Sequence, residues 1–172
     1  MMRRGALSFL CAALLMACGG STKPAAPSLH RPVGEPAEFA FGVLDGSVVT
    51  SENTRGRVTA LLFATSYDLV SQLVARRLDE VYRVRKPRFN AACIALEAAQ
   101  NAVLVETFRD TLELKYPVAI ADRVELRSFP AFANIDRVPM LVLLDRRGRE
   151  RLRVFGPFEN KQLLEWLSAA EE

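Results

Sequence analysis

Three cysteines, one histidine and a short Thr-Ser-Tyr-Asp run are the residues of this 172-residue chain whose types and spacing could do chemistry. Thr65, Ser66 and Asp68 lie together and would suggest hydrolysis. A serine or threonine nucleophile needs a base in hydrogen-bond reach. The only imidazole, His30, sits in a Gly/Pro/Ser-rich stretch far along the chain, so nucleophilic catalysis has no support. A metal site needs several such ligands. His30 reads as a lone solvated side chain, and no metal and no cofactor are expected. Cys93 lies in the apolar run Ala91-Ala92-Cys93-Ile94-Ala95. No neighbouring cation is there to lower its pKa, and free cysteine packs well in cores. It is expected to be inert, with a single-thiol redox role as the alternative.

The N-terminus reads as a targeting segment. Arg3 and Arg4 precede a mostly apolar run, Gly5 to Ala17, too short to span a bilayer comfortably. It ends in Leu15-Met16-Ala17-Cys18, which resembles the lipobox of bacterial lipoproteins. That resemblance implies a signal peptide over residues 1–17 and a lipidated, N-terminal Cys18. The membrane is then one partner, held through acyl chains rather than a spanning helix. It also implies a cell-envelope location facing the periplasm, with Gly19 after the cysteine favouring the outer over the inner membrane. Cys11 leaves with the signal peptide, so Cys93 would be the one free thiol and no internal disulfide could form. Residues 18–37 read as a flexible tether. Removal of Arg3 and Arg4 takes the 23 basic residues to 21, against 20 acidic. A near-neutral chain gives nucleic-acid binding no electrostatic footing.

The remaining residues, 38–172, have the length and composition of one globular domain. Glu38 to Leu44 and Ser47 to Thr50 flank Asp45-Gly46 as a β-hairpin. Val58 to Ala64 is nearly all apolar, as a buried central strand should be. Leu69, Val70, Leu73, Val74, Leu78, Val81 and Tyr82 form one helical stripe, with Asp68 placed to cap it. Phe89 to Leu96 predicts a second buried strand, and Ala99 to Leu114 a helix with Val103, Val105, Phe108, Leu112 and Leu114 supplying its apolar surface. Strands follow at Tyr116 to Ala121, Val138 to Leu144 and Arg149 to Phe155, then a helix at Glu159 to Ala170. This order predicts an α/β sandwich with a mixed sheet.

Three stretches resemble the TlpA-like and redoxin branch of the thioredoxin superfamily: Phe41 to Gly56, Leu61 to Thr65 (LLFAT), and Arg137 to Gly156 (RVPMLVLLDRRGRERLRVFG). The resemblance implies a thioredoxin-like sandwich, with a central mixed β-sheet flanked by helices and an N-terminal β-hairpin extension. The activity it implies is thiol-disulfide exchange, which needs a thiolate at a helix N-terminus and a second thiol one turn on. Here Ser66 stands for the usual aromatic, Tyr67 for the first cysteine and Val70 for the second. Pro139 is the family site residue retained, cis by analogy. Val138 before it would offer backbone hydrogen bonds to an extended partner, the alternative being that Pro139 only shapes the fold.

The expected site is therefore a binding groove of Ser66, Tyr67, Asp68, Val138 and Pro139, with no catalytic residue. The expected function is that of a redox-inactive, membrane-anchored module for an envelope protein or peptide. Two alternatives stay open: an oxidoreductase or peroxidase using Cys93 or a partner's thiol, and a structural envelope lipoprotein. Two basic clusters, Arg83/Arg85/Lys86/Arg88 and Arg146/Arg147/Arg149/Arg151/Arg153, read as solvated surface or as contacts to anionic headgroups or an acidic partner.

Overall fold

The computed structural model describes residues 34–171. The expected signal peptide, Cys18, His30 and most of the tether lie outside these residues. The elements run β1 (Ala40–Gly42), β2 (Val48–Thr50), α1 (Ser51–Thr54), β3 (Val58–Ala64), α2 (Leu69–Arg85), β4 (Phe89–Leu96), α3 (Ala102–Thr111), β5 (Val118–Ala121), α4 (Arg123–Arg127), β6 (Met140–Leu144), β7 (Glu150–Phe155) and α5 (Asn160–Ala170). Packing of the described chain includes Ala37, just before the expected start of the domain. Ala37 is buried, and its N–H donates to the Gly148 carbonyl at 2.9 Å.

Five strands form one sheet in the order β5-β4-β3-β6-β7, and β1 and β2 form a separate hairpin. β3 pairs parallel with β4, as does β4 with β5; β6 is antiparallel to both β3 and β7. All seven residues of β3 are buried, as its unbroken apolar run requires. Val58, Ala60, Leu62 and Ala64 point into a core filled from α2, α3 and α5 by residues such as Leu78, Phe108 and Trp166. Leu61 and Phe63 point the other way, toward Phe39, Phe41, Leu126 and Phe132. On that second face the rings of Phe41, Phe63 and Phe132 lie within 5.1–6.2 Å of one another. They fasten the hairpin and the long β5–β6 connection to the sheet.

Two helical expectations change on the surface side. At the start of α2, Leu69 is 77% exposed, and Val70 and Leu73 are exposed too, whereas Ser71 and Asp79 are buried. The polar pair is satisfied locally. Asp79 holds Arg83 and accepts the Lys115 N–H at 2.6 Å, so hydrogen bonding offsets the cost of burial. In α3 only Val105 and Phe108 are buried, and Val103 faces solvent. Among the described residues two peptide bonds are cis, Lys86–Pro87 and Val138–Pro139.

Candidate functional site

Strand register brings the expected site residues to one end of the sheet. Phe63 of β3 pairs with Met140 of β6, so the loop after Ala64 and the segment before Met140 are neighbours. β4 runs parallel with Ala95 opposite Ala64, which delivers Glu97 to the same end.

The loop from Thr65 to Asp68 is wired on every side. The Ser66 N–H donates to Glu97 Oε1 at 2.7 Å, and Gln72 Nε2 donates to the Ser66 carbonyl at 2.8 Å. The Thr65 N–H reaches the Ser71 hydroxyl at 3.3 Å. Asp68 is the N-cap of α2. Its carboxylate accepts from the N–H groups of Val70 (3.3 Å) and Ser71 (2.8 Å), and from the Ser71 hydroxyl at 2.8 Å. Partial burial opposes its ionisation, but the Ser71 hydroxyl and the two N–H groups outweigh that and hold the carboxyl below the usual aspartate range. Asp68 is thus occupied in starting the helix and is not a group left over for a ligand.

Tyr67 projects from this loop with 76% of its surface exposed. With Ser66, Gln72, Leu104, Thr107 and Phe108 it lines a recess of about 260 Å³ between the start of α2 and the flank of α3. Leu104 at its mouth is 55% exposed, and Leu69, Val70 and Leu73 continue the apolar surface along α2. Val138 and Pro139 are not part of this recess. The groove expected from sequence therefore divides: Ser66 and Tyr67 close on α3, while the Val138–Pro139 segment forms the β6 side of the same sheet end. Pro139 is buried and Val138 half-buried. Neither the N–H nor the carbonyl of Val138 makes a backbone hydrogen bond among the described residues.

No protein-family model matches the chain, and no curated protein does. Solved structures do. A thiol:disulfide interchange protein of the thioredoxin family from Chlorobium tepidum superposes with a TM-score of 0.70 at 19% identity, covering 82% of this chain and 97% of that one. A DsbF homologue from Corynebacterium diphtheriae gives 0.71 at 12% identity, over 86% and 96%. The exposed lipoprotein thioredoxin of Streptococcus pneumoniae gives 0.66 at 16% identity, over 77% and 99%. The chain has the thioredoxin-like fold.

At the helix start the cap geometry engages Asp68 and Ser71 rather than Tyr67 and Val70. The chemistry asks for a nucleophile at the helix N-cap, stabilised by backbone N–H groups, and a second group one turn later. The N-cap is Asp68, not Tyr67, and the residue one turn on that meets it is Ser71, not Val70. Val70 instead faces solvent. A carboxylate–hydroxyl hydrogen bond joins the N-cap to the residue one turn on. Tyr67 stands one position before the cap.

Cys93 lies in β4, wholly buried on the α2/α5 side of the sheet. Burial first, and the Glu97 carboxylate second, push its thiol up to about 12. Glu97 is the site residue that sequence reasoning missed. It is only 5% exposed; one carboxylate oxygen holds the Ser66 N–H, while Oε2 and the nearby Thr65 hydroxyl have no hydrogen-bond partner. Its one sequence signal was an acid set directly after an apolar strand, which reads equally well as a loop starting. Among the described residues no cluster could hold a metal ion, and no helix is long and apolar enough to cross a membrane.

Proposed function

We propose that this chain is a membrane-anchored lipoprotein whose thioredoxin-like domain does no dithiol exchange and instead binds an extended segment of an envelope protein or peptide. The observation that carries this reading is the Asp68–Ser71 hydrogen bond at the helix start. It joins, at the helix start, two groups that cannot exchange disulfides. Around it the domain exposes Tyr67, Leu69, Val70, Leu73 and Leu104, large apolar side chains of the kind that mark interaction sites when grouped. The unengaged backbone of Val138 borders the same end and suits strand addition, with the recess beside Tyr67 taking a side chain. A lipid on Cys18 would hold the domain in the envelope on the periplasmic side, with Gly19 favouring the outer membrane.

A photo-crosslinking amino acid at Tyr67, in the native envelope, tests the binding surface. The expected result is a discrete adduct that disappears with Leu104→Ala and is absent when the probe replaces Val84, an exposed residue at the other end of α2. Identical adducts from both positions, or none from Tyr67, would overturn the reading and leave a structural envelope protein. Thiol reactivity tests the enzymatic alternative. Cys93 is expected to resist alkylation in the folded protein at neutral pH and to react fully in denaturant. Fast native labelling would restore a single-thiol mechanism.

A further inference from the structure

The pole of the domain opposite the candidate site carries a second surface. β3 and β4 begin there, β6 ends there, and the chain enters there, because Ala37 is bonded to Gly148 in the β6–β7 turn. The two arginine-rich stretches of the sequence meet at this pole, and the structure sorts their members. Arg83 is held by Asp79 and Arg149 by Asp145; Arg153 is held by Glu150, Asn134 and the Ala131 carbonyl. Arg85 donates to Ser168 and Arg151 to the Ala169 carbonyl. Arg57, Lys86, Arg88, Arg146 and Arg147 are exposed and have no ion pair among the described residues.

These five are contiguous. The Gly56 N–H donates to the Arg146 carbonyl at 2.8 Å, and Arg57 reaches the Pro87 carbonyl at 3.1 Å. Arg146 and Arg147 also rim a recess of about 430 Å³ closed by Arg149, Arg151 and the end of α5. Among the described residues the acids near this pole without an ion pair are Glu35, Asp45, Glu52, Glu113 and Glu171, but Arg85 and Lys115 also lie there without one, so the balance stays positive. The opposite end carries Asp68, Glu97, Asp122, Glu125 and Asp136 on its loops and helix starts.

We infer that the Arg57/Lys86/Arg88/Arg146/Arg147 surface is a docking face for anionic lipid headgroups, which seats the domain with its candidate binding site turned away from the membrane. The direction of this seating rests on the lipid-anchor reading of Cys18. The Gly/Pro/Ser-rich stretch between Cys18 and Gly34 is only 15 residues long. That keeps the pole close to the surface while the electrostatic field itself reaches only about 8–10 Å. Juxtamembrane cations gain attraction to anionic lipid in this range.

The test uses the whole chain from Cys18 onward, made without lipid, so that its outcome does not depend on whether Cys18 is acylated. Mass spectrometry of the envelope-purified protein decides the acylation separately. Co-sedimentation is measured with vesicles of phosphatidylglycerol and phosphatidylethanolamine, and with phosphatidylcholine alone, at low and physiological salt. Binding to the anionic vesicles that weakens with salt is expected. Arg146→Ala/Arg147→Ala should weaken it by roughly fivefold for each cation removed. Arg127→Ala/Lys161→Ala, which removes the same charge from exposed positions near the far end, should leave it within a factor of two or so. No anionic binding, equal binding to phosphatidylcholine, or equal loss in both double variants would overturn the assignment. Matched thermal melts of the variants exclude unfolding as the cause.

Discussion

At the scale of single residues, Asp68 and Ser71 decide what the helix start can do. A thiol at the N-cap would share the N–H groups that Asp68 now uses, and its thiolate would be stabilised by them. The double variant Asp68→Cys/Ser71→Cys is therefore expected to form an internal disulfide and to acquire measurable reductase activity toward a disulfide substrate. Tyr67→Cys/Val70→Cys, built on the register that the sequence alone suggests, should do neither. One of its thiols would precede the cap and the other would face solvent. Mass spectrometry under oxidising and reducing conditions, with a turbidity assay of reduction, separates the two. The reverse ranking would place the cysteine-equivalent positions at Tyr67 and Val70. A one-residue ambiguity of this kind is built into the sequence. Ser66-Tyr67-Asp68-Leu69-Val70-Ser71 contains no residue that fixes the alignment, and only the cap geometry shows which position meets the backbone N–H groups.

At the scale of elements, α2 is the part most plainly written in the sequence, and also where the reading misled. Asp68 marked its start, and the 3.6-residue pattern marked its course. Its exposed apolar start was not legible. Leu69, Val70 and Leu73 follow the same period as Val74 and Leu78, and periodicity cannot tell a core from a surface kept for something else. Ser71 and Asp79 were hidden for the opposite reason, because their burial depends on partners that only the fold brings up. The cap itself is testable. Asp68→Ala should destabilise the domain by about 1 kcal/mol. A carboxyl held below its unfolded pKa contributes fully above the unfolded aspartate range, and that contribution is lost as pH falls through the folded value. The difference between wild type and Asp68→Ala should therefore shrink in acid. Asp68→Asn keeps an acceptor and should behave as a pH-independent cap. Denaturant midpoints collected across the acid range would show it. A gap that widens toward low pH would contradict the assigned direction.

At the scale of the whole molecule, the sequence declared the sheet and its central strand but not what covers the second face. Residues 122–137 carried no strong period and received no element. They hold α4, capped by Asp122 through the N–H groups of Val124 and Glu125, and then Phe129 and Phe132. Phe132 is completely buried against Phe39, Phe41 and Phe63. Aromatic side chains scattered over distant stretches leave no local pattern, so this cluster was invisible until the strands were placed. Phe132→Ala should cost about 3–5 kcal/mol, a large share of the roughly 5–15 kcal/mol that stabilises a typical domain. It should also loosen the approach to Pro139. Val84→Ala on the exposed surface should stay within about 0.5 kcal/mol. Chemical denaturation with an unchanged slope would confirm the first as lost packing, and a loss below about 1 kcal/mol would show that the second face is not a core.

The N-terminal hairpin has one more effect. Val43 bridges to Ala119 and the Leu44 N–H donates to the Val118 carbonyl, so β5, the outermost strand on that flank, already has a partner. Among the described residues the five-stranded sheet is left with one open flank, at β7. Head-to-tail growth of a sheet needs two complementary flanks on every copy, whereas a single flank can only meet its own likeness across a twofold axis. Crowded in a plane, copies of this domain could pair through their sheets, but the pairing would close on itself and end at two.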